Sequence, residues 1–250
     1  PFEAERSCRR SLDRSLPRVG RRRIFVKTHA AEILRRQLSK TGLRGRSITL
    51  GGAADPYQPA EKHFQVTRSL LEVLLEHRGL SLAIETRSPL IVRDLDLLAE
   101  LDTRHAVEVT LPLSAAQPTL AGRLEPLAPP SDARLRTVAK LSQEGISTRI
   151  LCQPLLPGIN SSEAVLAPLF EAARGAGARD VMATPFAMTP SARTWFFSWL
   201  EGEFPREVSR YRELFSWRDH LPPRQRELVM APFERLRLEA GFPRATAGRG

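Results

Sequence analysis

Short apolar runs alternate with segments of helical spacing through the middle of the chain. The runs are bounded by turn residues and predict five buried strands, at Ile48–Leu50, Leu80–Glu85, Ala106–Leu111, Thr148–Leu151 and Asp180–Thr184. Apolar residues at helical spacing predict the intervening helices, at about 29–39, 61–77, 91–101, 131–144 and 161–174. Strand–helix alternation with short connections predicts an α/β fold with parallel strands and helical crossovers.

The pattern changes beyond Pro185, where aromatic residues are interleaved with Arg and Glu. Helical spacing predicts helices at about 190–201, 205–215 and 223–240, which we expect to cover one edge of the sheet. The cluster from Trp195 to Trp199 could stack on nucleobases, but its spacing favours packing in the core. We divide the chain into an irregular basic segment (1–22), a barrel-like region (23–187), a helical extension (188–243) and a disordered tail (244–250).

The residues that follow the predicted strands are of unusual types. The first strand opens into Gly51 and Gly52, a loop too tight for bulky side chains, followed by Asp55. The second strand ends in Thr86-Arg87-Ser88, and the fourth leads to a Pro-Gly turn at Gly158. Because parallel strands gather their carboxyl ends at one edge, these loops predict a ligand site there.

The net charge of +10 admits a nucleic-acid interpretation, although its distribution is uneven. Arg outnumbers Lys 34 to 4, and the arginines are dense only between residues 6 and 23. Such a run is typical of a solvated tail and is also compatible with contact to nucleic acid. Both interpretations stay open.

Two cysteines, Cys8 and Cys152, are too few for a disulfide framework and predict a cytoplasmic protein. They are also too few for the three thiolates of an iron–sulfur cluster, and the five histidines lack metal-ligand spacing. No run approaches 18 apolar residues and no signal peptide is visible, so we expect no membrane span. The first residue is Pro1, so we expect a processed or partial chain.

The loop after the first strand, Gly51–Glu61 (GGAADPYQPAE), resembles the second-strand loop of radical S-adenosylmethionine enzymes. In the spore photoproduct lyase-like branch this loop reads close to GTNTDPYQPxE. Asp55, Tyr57 and Gln58 are kept here, whereas small residues replace the polar Thr-Asn-Thr.

Three further segments resemble that branch in the same order along residues 23–185. Glu85–Ser88 with Arg93–Leu98 resembles ITKSxxxxRDLDLL, with Arg87 in place of Lys. Leu124–Pro129 resembles LEPRAP, with Leu127 in place of Arg, and Pro154–Glu163 resembles PxIPGxNDxE. The lead-in Arg23–Lys27 resembles RRIFVK.

The resemblance implies a partial (β/α)6-type TIM barrel with a C-terminal helical extension. It implies S-adenosylmethionine and a [4Fe–4S] cluster as cofactors, an electron donor, and radical chemistry on a substrate that could be nucleic acid. It also implies a set of cofactor-binding residues: Gly51, Gly52, Asp55, Tyr57, Thr86, Arg87, Ser88, Gly158, Asn160 and Glu163.

The chain lacks the Cx3CxxC motif that binds the cluster in that family, so three functions stay open. The chain is a radical enzyme, a truncated or cluster-less homologue without catalysis, or a basic nucleic-acid-binding scaffold. The candidate residues also have structural alternatives: Asp55 as a turn cap, Tyr57 as a half-buried ring, Ser88 as a helix cap and Glu163 as a first-turn acid. Cys152 is expected to be an inert strand residue.

Overall fold

A computed structural model describes residues 26–39, 45–52 and 54–243 of the chain. Its sheet has five strands, β1 (Ser47–Leu50), β2 (Ser81–Glu85), β3 (Ala106–Pro112), β4 (Ser147–Leu155) and β5 (Asp180–Pro185). They pair in chain order, β1-β2-β3-β4-β5, and every pair is parallel. The predicted α/β class with a parallel sheet is confirmed.

Helices connect the strands and extend beyond β5. They are α1 (Ala30–Leu38), α2 (Glu61–Phe64), α3 (Val66–Leu75), α4 (Leu95–Asp102), α5 (Pro118–Leu124), α6 (Ser131–Gln143), α7 (Glu163–Gly175), α8 (Arg193–Glu203), α9 (Val208–Leu214) and α10 (Pro223–Glu239). Short 3₁₀ turns precede α4, α8 and α9. Among the described helices, none combines the length and apolar character that crossing a membrane requires.

The two faces of the sheet differ because side chains alternate along each strand. Leu82 and Ile84 of β2 are in register with Val107 and Val109 of β3, and this buried face packs under the helices. The opposite face carries a row of ionic side chains, with Arg149 Nη1 2.6 Å from Glu108 Oε1. The apolar core therefore lies between sheet and helices, and the other face is mixed, with charged side chains beside apolar ones such as Leu151 and Met182.

The structure corrects two element predictions. The helix predicted at about 61–77 is two helices, since Gln65 adopts a left-handed conformation (φ 48°) between α2 and α3. The Pro-rich segment after β3 contains the unpredicted helix α5, in which Pro118 occupies the first turn, where its missing N–H costs nothing. The predicted segments 1–22 and 244–250 lie outside the described residues.

The C-terminal helices carry an aromatic core over the end of β5. Phe196 of α8 stacks on Phe186 with centroids 4.6 Å apart, and Tyr211 and Phe215 pack against the same ring. Trp195 and Trp199 are partly buried against this core. Core packing of the Trp195–Trp199 cluster is thus confirmed.

Candidate functional site

A cleft of about 490 Å³ opens at the carboxyl ends of the first strands. One wall is the loop after β1, with Asp55 and Gln58, continued by Lys62 of α2; the end of β2 adds Arg87 and Ser88. The facing wall is the segment between α5 and α6, residues 127–129. Loops at the carboxyl edge of a parallel sheet therefore form this cleft, as the strand-end residues predicted.

Asp55 ties the loop after β1 to the end of β2. Its Oδ1 accepts hydrogen bonds from Tyr57 N (2.9 Å) and Thr86 Oγ1 (2.6 Å), and its Oδ2 accepts one from Arg87 N (2.9 Å). The contact to the backbone two residues on is the turn-capping contact considered above. Asp55 therefore fixes the geometry of one cleft wall.

Gly51 allows β1 and β2 to converge at this edge. Its φ of +114° favours glycine, and a Cβ there would collide with the carbonyl oxygen of Glu85. Gly52 follows with φ of +71°. The Gly-Gly pair is therefore required by the turn and by the close approach of the two strand ends.

Ser88 behaves as a cap as well as a wall residue. Its Oγ accepts a hydrogen bond from Leu90 N (3.3 Å) at the start of the 3₁₀ turn Pro89–Asp94. Its backbone N donates to Thr86 Oγ1 (2.9 Å). The predicted helix cap ahead of Pro89 is confirmed, and the hydroxyl still lines the cleft.

A buried carboxylate, Glu125, connects the cleft to the ends of β2 and β3. Its Oε1 accepts from Arg87 Nε (3.0 Å), and its Oε2 accepts from Arg134 Nη1 (2.9 Å) and Ser114 Oγ (2.7 Å). Burial would raise the pKa of Glu125, but the charges of Arg134 and Arg87 and the Ser114 hydroxyl hold the pKa below its usual range. Glu125 is therefore an ionised residue of the site.

Glu125 was absent from the predicted site residues, although it lies in the Leu124-Glu125-Pro126 motif. Its partners come from positions as far as 38 residues away in the chain. Spacing along one segment does not reveal such contacts. The resemblance of the Leu124-Glu125-Pro126 motif to the family's motif was the sequence signal that could have identified Glu125 as a site residue.

Tyr57 is fully buried rather than half-buried. Burial raises the pKa of its phenol far above the usual value, and the nearby Asp94 carboxylate raises it further. Asp94 accepts hydrogen bonds from Arg93 Nε (2.9 Å) and Arg68 Nη1 (2.8 Å), while Arg93 Nη2 also contacts Glu61 Oε1 (2.9 Å). This cluster fixes the end of the loop after β1 at the start of α2. The raised pKa predicts that the Tyr57 phenol is neutral.

Asn160 stabilises the turn after β4 through hydrogen bonds to the backbone. Its side chain is fully buried; Oδ1 accepts from Leu156 N (2.7 Å), and Nδ2 donates to Ser114 O (3.0 Å) and Pro154 O (3.1 Å). It supports the cleft only indirectly, since Ser114 also binds Glu125. Asn160 is not among the residues that line the cleft.

Gly158 and Glu163 are exposed and lie beside side chains of the C-terminal helices instead of in the cleft. A Cβ on Gly158 would fall 2.6 Å from Glu207 Oε2 and from Arg210 Nη1. Glu163 Oε2 accepts a hydrogen bond from Arg235 Nη2 (2.6 Å) on α10. The structure therefore separates these two predicted site residues from Asp55, Arg87 and Ser88.

Within the described residues, no group of three His, Cys, Asp or Glu side chains is arranged to hold a metal ion. Cys152 is a free, fully buried thiol in β4, and burial raises its pKa. Cys152 is therefore a buried strand residue, and its low reactivity stays a prediction. The described residues therefore do not fit an iron–sulfur cluster.

Comparisons with known proteins agree with this architecture. No family model matches the chain. The uncharacterized protein Rv2578c of Mycobacterium tuberculosis is 33% identical over 206 residues, which cover 82% of this chain and 60% of that protein. The chain thus spans about 60% of the length of this relative and of two further uncharacterized mycobacterial proteins with the same identity and coverage.

Two solved structures have the same fold at low sequence identity. Spore photoproduct lyase complexed with dinucleoside spore photoproduct gives a TM-score of 0.57 at 13% identity, covering 88% of this chain and 66% of that chain. A radical SAM methyltransferase from Sphaerobacter thermophilus gives 0.54 at 18% identity, covering 87% and 55%. The chain therefore has the partial barrel fold of the radical S-adenosylmethionine enzymes, and the predicted similarity is confirmed at the level of the fold.

Proposed function

We propose that this chain is the barrel of a radical S-adenosylmethionine protein of the spore photoproduct lyase-like branch, and that its cleft binds S-adenosylmethionine. One observation carries the proposal. Three of the segments that carry the resemblance form the walls of one cleft although they are far apart in the sequence: the loop after β1, the end of β2 and the segment after α5. Such convergence supports a shared ligand site.

The chemistry of the cleft fits a zwitterionic ligand with an apolar part. Lys62, Arg87 and Ser88 offer cations and a hydroxyl, whereas Leu90 and Leu127 offer apolar surface. A volume of about 490 Å³ is also within the range of small-molecule sites, roughly 300–1,000 Å³. We propose Gly51, Gly52, Asp55, Tyr57, Thr86, Arg87 and Ser88 as the frame of this site, with Gly158, Asn160 and Glu163 supporting the end of β4.

The [4Fe–4S] cluster stays outside this proposal for the described residues, because they offer no ligand set. In the radical family, the cluster supplies the electron that cleaves S-adenosylmethionine. Catalysis on an unidentified substrate, with an electron donor as partner, is proposed for the full-length protein only.

The charge distribution separates the enzyme proposal from the basic scaffold. The described residues contain 26 Lys and Arg and 25 Asp and Glu, so nine of the ten excess positive charges lie in residues 1–25, 40–44 and 244–250. A nearly neutral barrel does not favour a scaffold that binds nucleic acid through its folded surface. A steep salt dependence of DNA binding by the folded barrel would contradict this.

Calorimetric titration with S-adenosylmethionine tests the cleft directly. Leu127 lines the cleft and is 57% exposed, so Leu127→Trp should obstruct the cleft without disturbing the core. Leu228 on α10 is 58% exposed and away from the cleft, so Leu228→Trp is a matched control. We expect binding to weaken at least tenfold in the first variant only. Equal affinities in both variants would place the ligand elsewhere.

Anaerobic iron and sulfide analysis of the full-length native protein tests the radical chemistry. About four irons per chain after reconstitution, with S-adenosylmethionine cleavage on reduction, would support an enzyme. Cofactor binding without iron would instead support the cluster-less homologue. If the protein binds neither iron nor S-adenosylmethionine, the proposal as a whole is wrong.

A further inference from the structure

We infer that the mouth of the cleft binds an uncharged, apolar group of the substrate, which an apolar rim holds beside the cofactor. The apolar rim consists of the half-buried and exposed apolar side chains that line the cleft: Ala54, Pro59, Leu90, Leu127, Ala128 and Pro129. The inference rests on the proposed function, because it names the substrate class of the site in which we place S-adenosylmethionine.

The ion pair of the cleft and its most exposed leucine lie at different depths. Glu125 is buried, and the side chain of its partner Arg87 is 13% exposed. Leu127 lines the same cleft but is 57% exposed, and Pro59 is exposed as well. The ion pair therefore belongs to the base of the cleft, and the rim around Leu127 belongs to its mouth.

The charged groups at the base are engaged with one another. Asp55 accepts three hydrogen bonds, one of them from Arg87 N (2.9 Å). Glu125 accepts hydrogen bonds from Arg87 Nε (3.0 Å) and from Arg134 Nη1 (2.9 Å). Two carboxylates and two guanidinium groups bring the net charge of this set to zero. The base of the cleft therefore favours neither an anionic nor a cationic group of a substrate.

Leu127 is held outward at the tip of a β-turn. Ala128 N donates to Glu125 O (3.0 Å), so Pro126 and Leu127 are the two central residues of the turn, and proline is favoured at the first of them. The turn begins at the buried Glu125, which Arg134 holds in place. Leu127 is thus presented on a fixed backbone with more than half of its surface open to a ligand.

Both sides of the mouth differ from the motifs that the chain resembles. Leu127 stands where LEPRAP has Arg, and Ala54 stands where GTNTDPYQPxE has Thr. Ala54 belongs to the loop after β1, whereas Leu127 belongs to the facing wall. Apolar side chains therefore replace a cation and a hydroxyl at two positions that line the mouth.

The ammonium group of Lys62 is the competing feature, since it lines the same cleft. Lys62 is exposed, so water and salt screen its charge, and an exposed charge contributes little to affinity. Salt does not screen apolar contact in this way, and the affinity grows with each methylene group that leaves water. We therefore expect apolar contact, rather than charge, to select the substrate.

The experiment sets these two features against each other. Straight-chain alcohols from butanol to heptanol are titrated into the wild-type chain saturated with S-adenosylmethionine, and a thymidine dinucleotide is the anionic probe. NMR of isotopically labelled leucine methyl groups gives the dissociation constants, and the Leu127 signal is assigned by its loss in Leu127→Asn. Leu228→Asn is the matched control, since Leu228 is 58% exposed and does not line the cleft. Thermal denaturation verifies that each variant folds.

We expect the affinity of the wild type to rise roughly two- to fourfold with each added methylene group. In Leu127→Asn, which keeps the size of the side chain, the rise should fall below about 1.5-fold per methylene group. Leu127→Arg should also flatten the series, and it decides the matter if Leu127→Asn does not fold. Leu228→Asn should match the wild type, and Lys62→Gln should change the alcohol affinities by less than about twofold.

Four other results would overturn the inference. Three of them leave the proposed function standing: affinities that do not rise with chain length, a rise that persists in Leu127→Asn, and alcohol binding that S-adenosylmethionine abolishes, which would assign the rim to the cofactor. In the fourth, the dinucleotide binds more tightly than every alcohol and loses affinity in Lys62→Gln, so the substrate class is nucleic acid. If the wild type does not bind S-adenosylmethionine in calorimetry, the proposed function fails and the inference fails with it.

Discussion

Removing the side chain of Asn160 should destabilise the fold far more than its position in a predicted binding loop suggests. The side chain is fully buried and makes three hydrogen bonds, to Leu156 N, Ser114 O and Pro154 O. Asn160→Ala leaves the buried Leu156 N–H without its acceptor. It also removes the contact that joins the end of β4 to the end of β3.

The magnitude follows from these three contacts. A buried donor left unpaired costs about 1–3 kcal/mol, and each carbonyl that loses one of its donors costs less, about 0.5–1 kcal/mol. We therefore expect the free energy of unfolding to fall by about 3 kcal/mol, a large part of the ~5–15 kcal/mol that stabilises a typical domain. Leu156 has no route to water that would relieve this cost, because it is itself buried.

Urea denaturation followed by circular dichroism measures the effect, and the m-value should stay constant. Glu163→Ala, three residues further on at the first residue of α7, is the control: its ion pair with Arg235 is half-exposed on both sides, so its loss should cost less than about 1 kcal/mol. If the free energy of unfolding falls by less than about 1 kcal/mol in Asn160→Ala and S-adenosylmethionine binding weakens, the structural role is wrong and Asn160 contacts the ligand.

Three further outcomes can be measured on the same chain. Gly51→Ala should destabilise by about 2–4 kcal/mol, because it combines a positive φ with a clash against Glu85 O, whereas Gly122→Ala, on an open helix face, should be neutral or stabilising; equal melting temperatures would contradict this. His105 accepts from Leu80 N at Nδ1 and contacts Leu74 O through Nε2, and burial lowers its pKa. The folded state therefore binds a proton at His105 less readily than the unfolded state does. The contribution of His105 to the free energy of unfolding should be fully present above about pH 6.5 and should fall as the pH drops below that value. The urea midpoint should depend less on pH between pH 5 and 8 in His105→Gln, whereas the exposed-site control His63→Gln should keep the pH dependence of the wild type. In a Cys8→Ser background, the buried Cys152 should react with a thiol reagent only after unfolding, and rapid labelling of the native chain would show that β4 opens.

Strand positions were predictable because their signals are local. The start of β3 at Ala106 and of β5 at Asp180 coincide with the predicted residues, and β2 differs by one residue. Each strand is a short apolar run flanked by turn residues, and this pattern needs no knowledge of the rest of the chain. The prediction failed where the residue type gives no sign of the backbone conformation, as at Gln65, which is left-handed between α2 and α3 although it is not a glycine.

The site was predictable only in part, because it depends on which loops meet. Asp55 and Arg87 follow neighbouring strands, so their proximity could be expected from a parallel sheet. Glu125 contacts Arg87 from a later segment of the chain, and only packing reveals this contact. Likewise, Gly158 and Glu163 follow β4 as predicted, but their neighbours are side chains of the C-terminal helices and not the residues of the cleft.

The strand order also determines how the chain can assemble during synthesis. Paired residues of adjacent strands lie between 25 and 39 positions apart in the chain, so no strand waits for a partner from a distant part of the sequence. At roughly 5–20 residues per second, a ribosome supplies each successive partner within roughly 1–8 seconds. Every emerging strand therefore finds the edge of its predecessor already available, and the nascent sheet can lengthen by one unit at a time instead of collapsing around a late central strand.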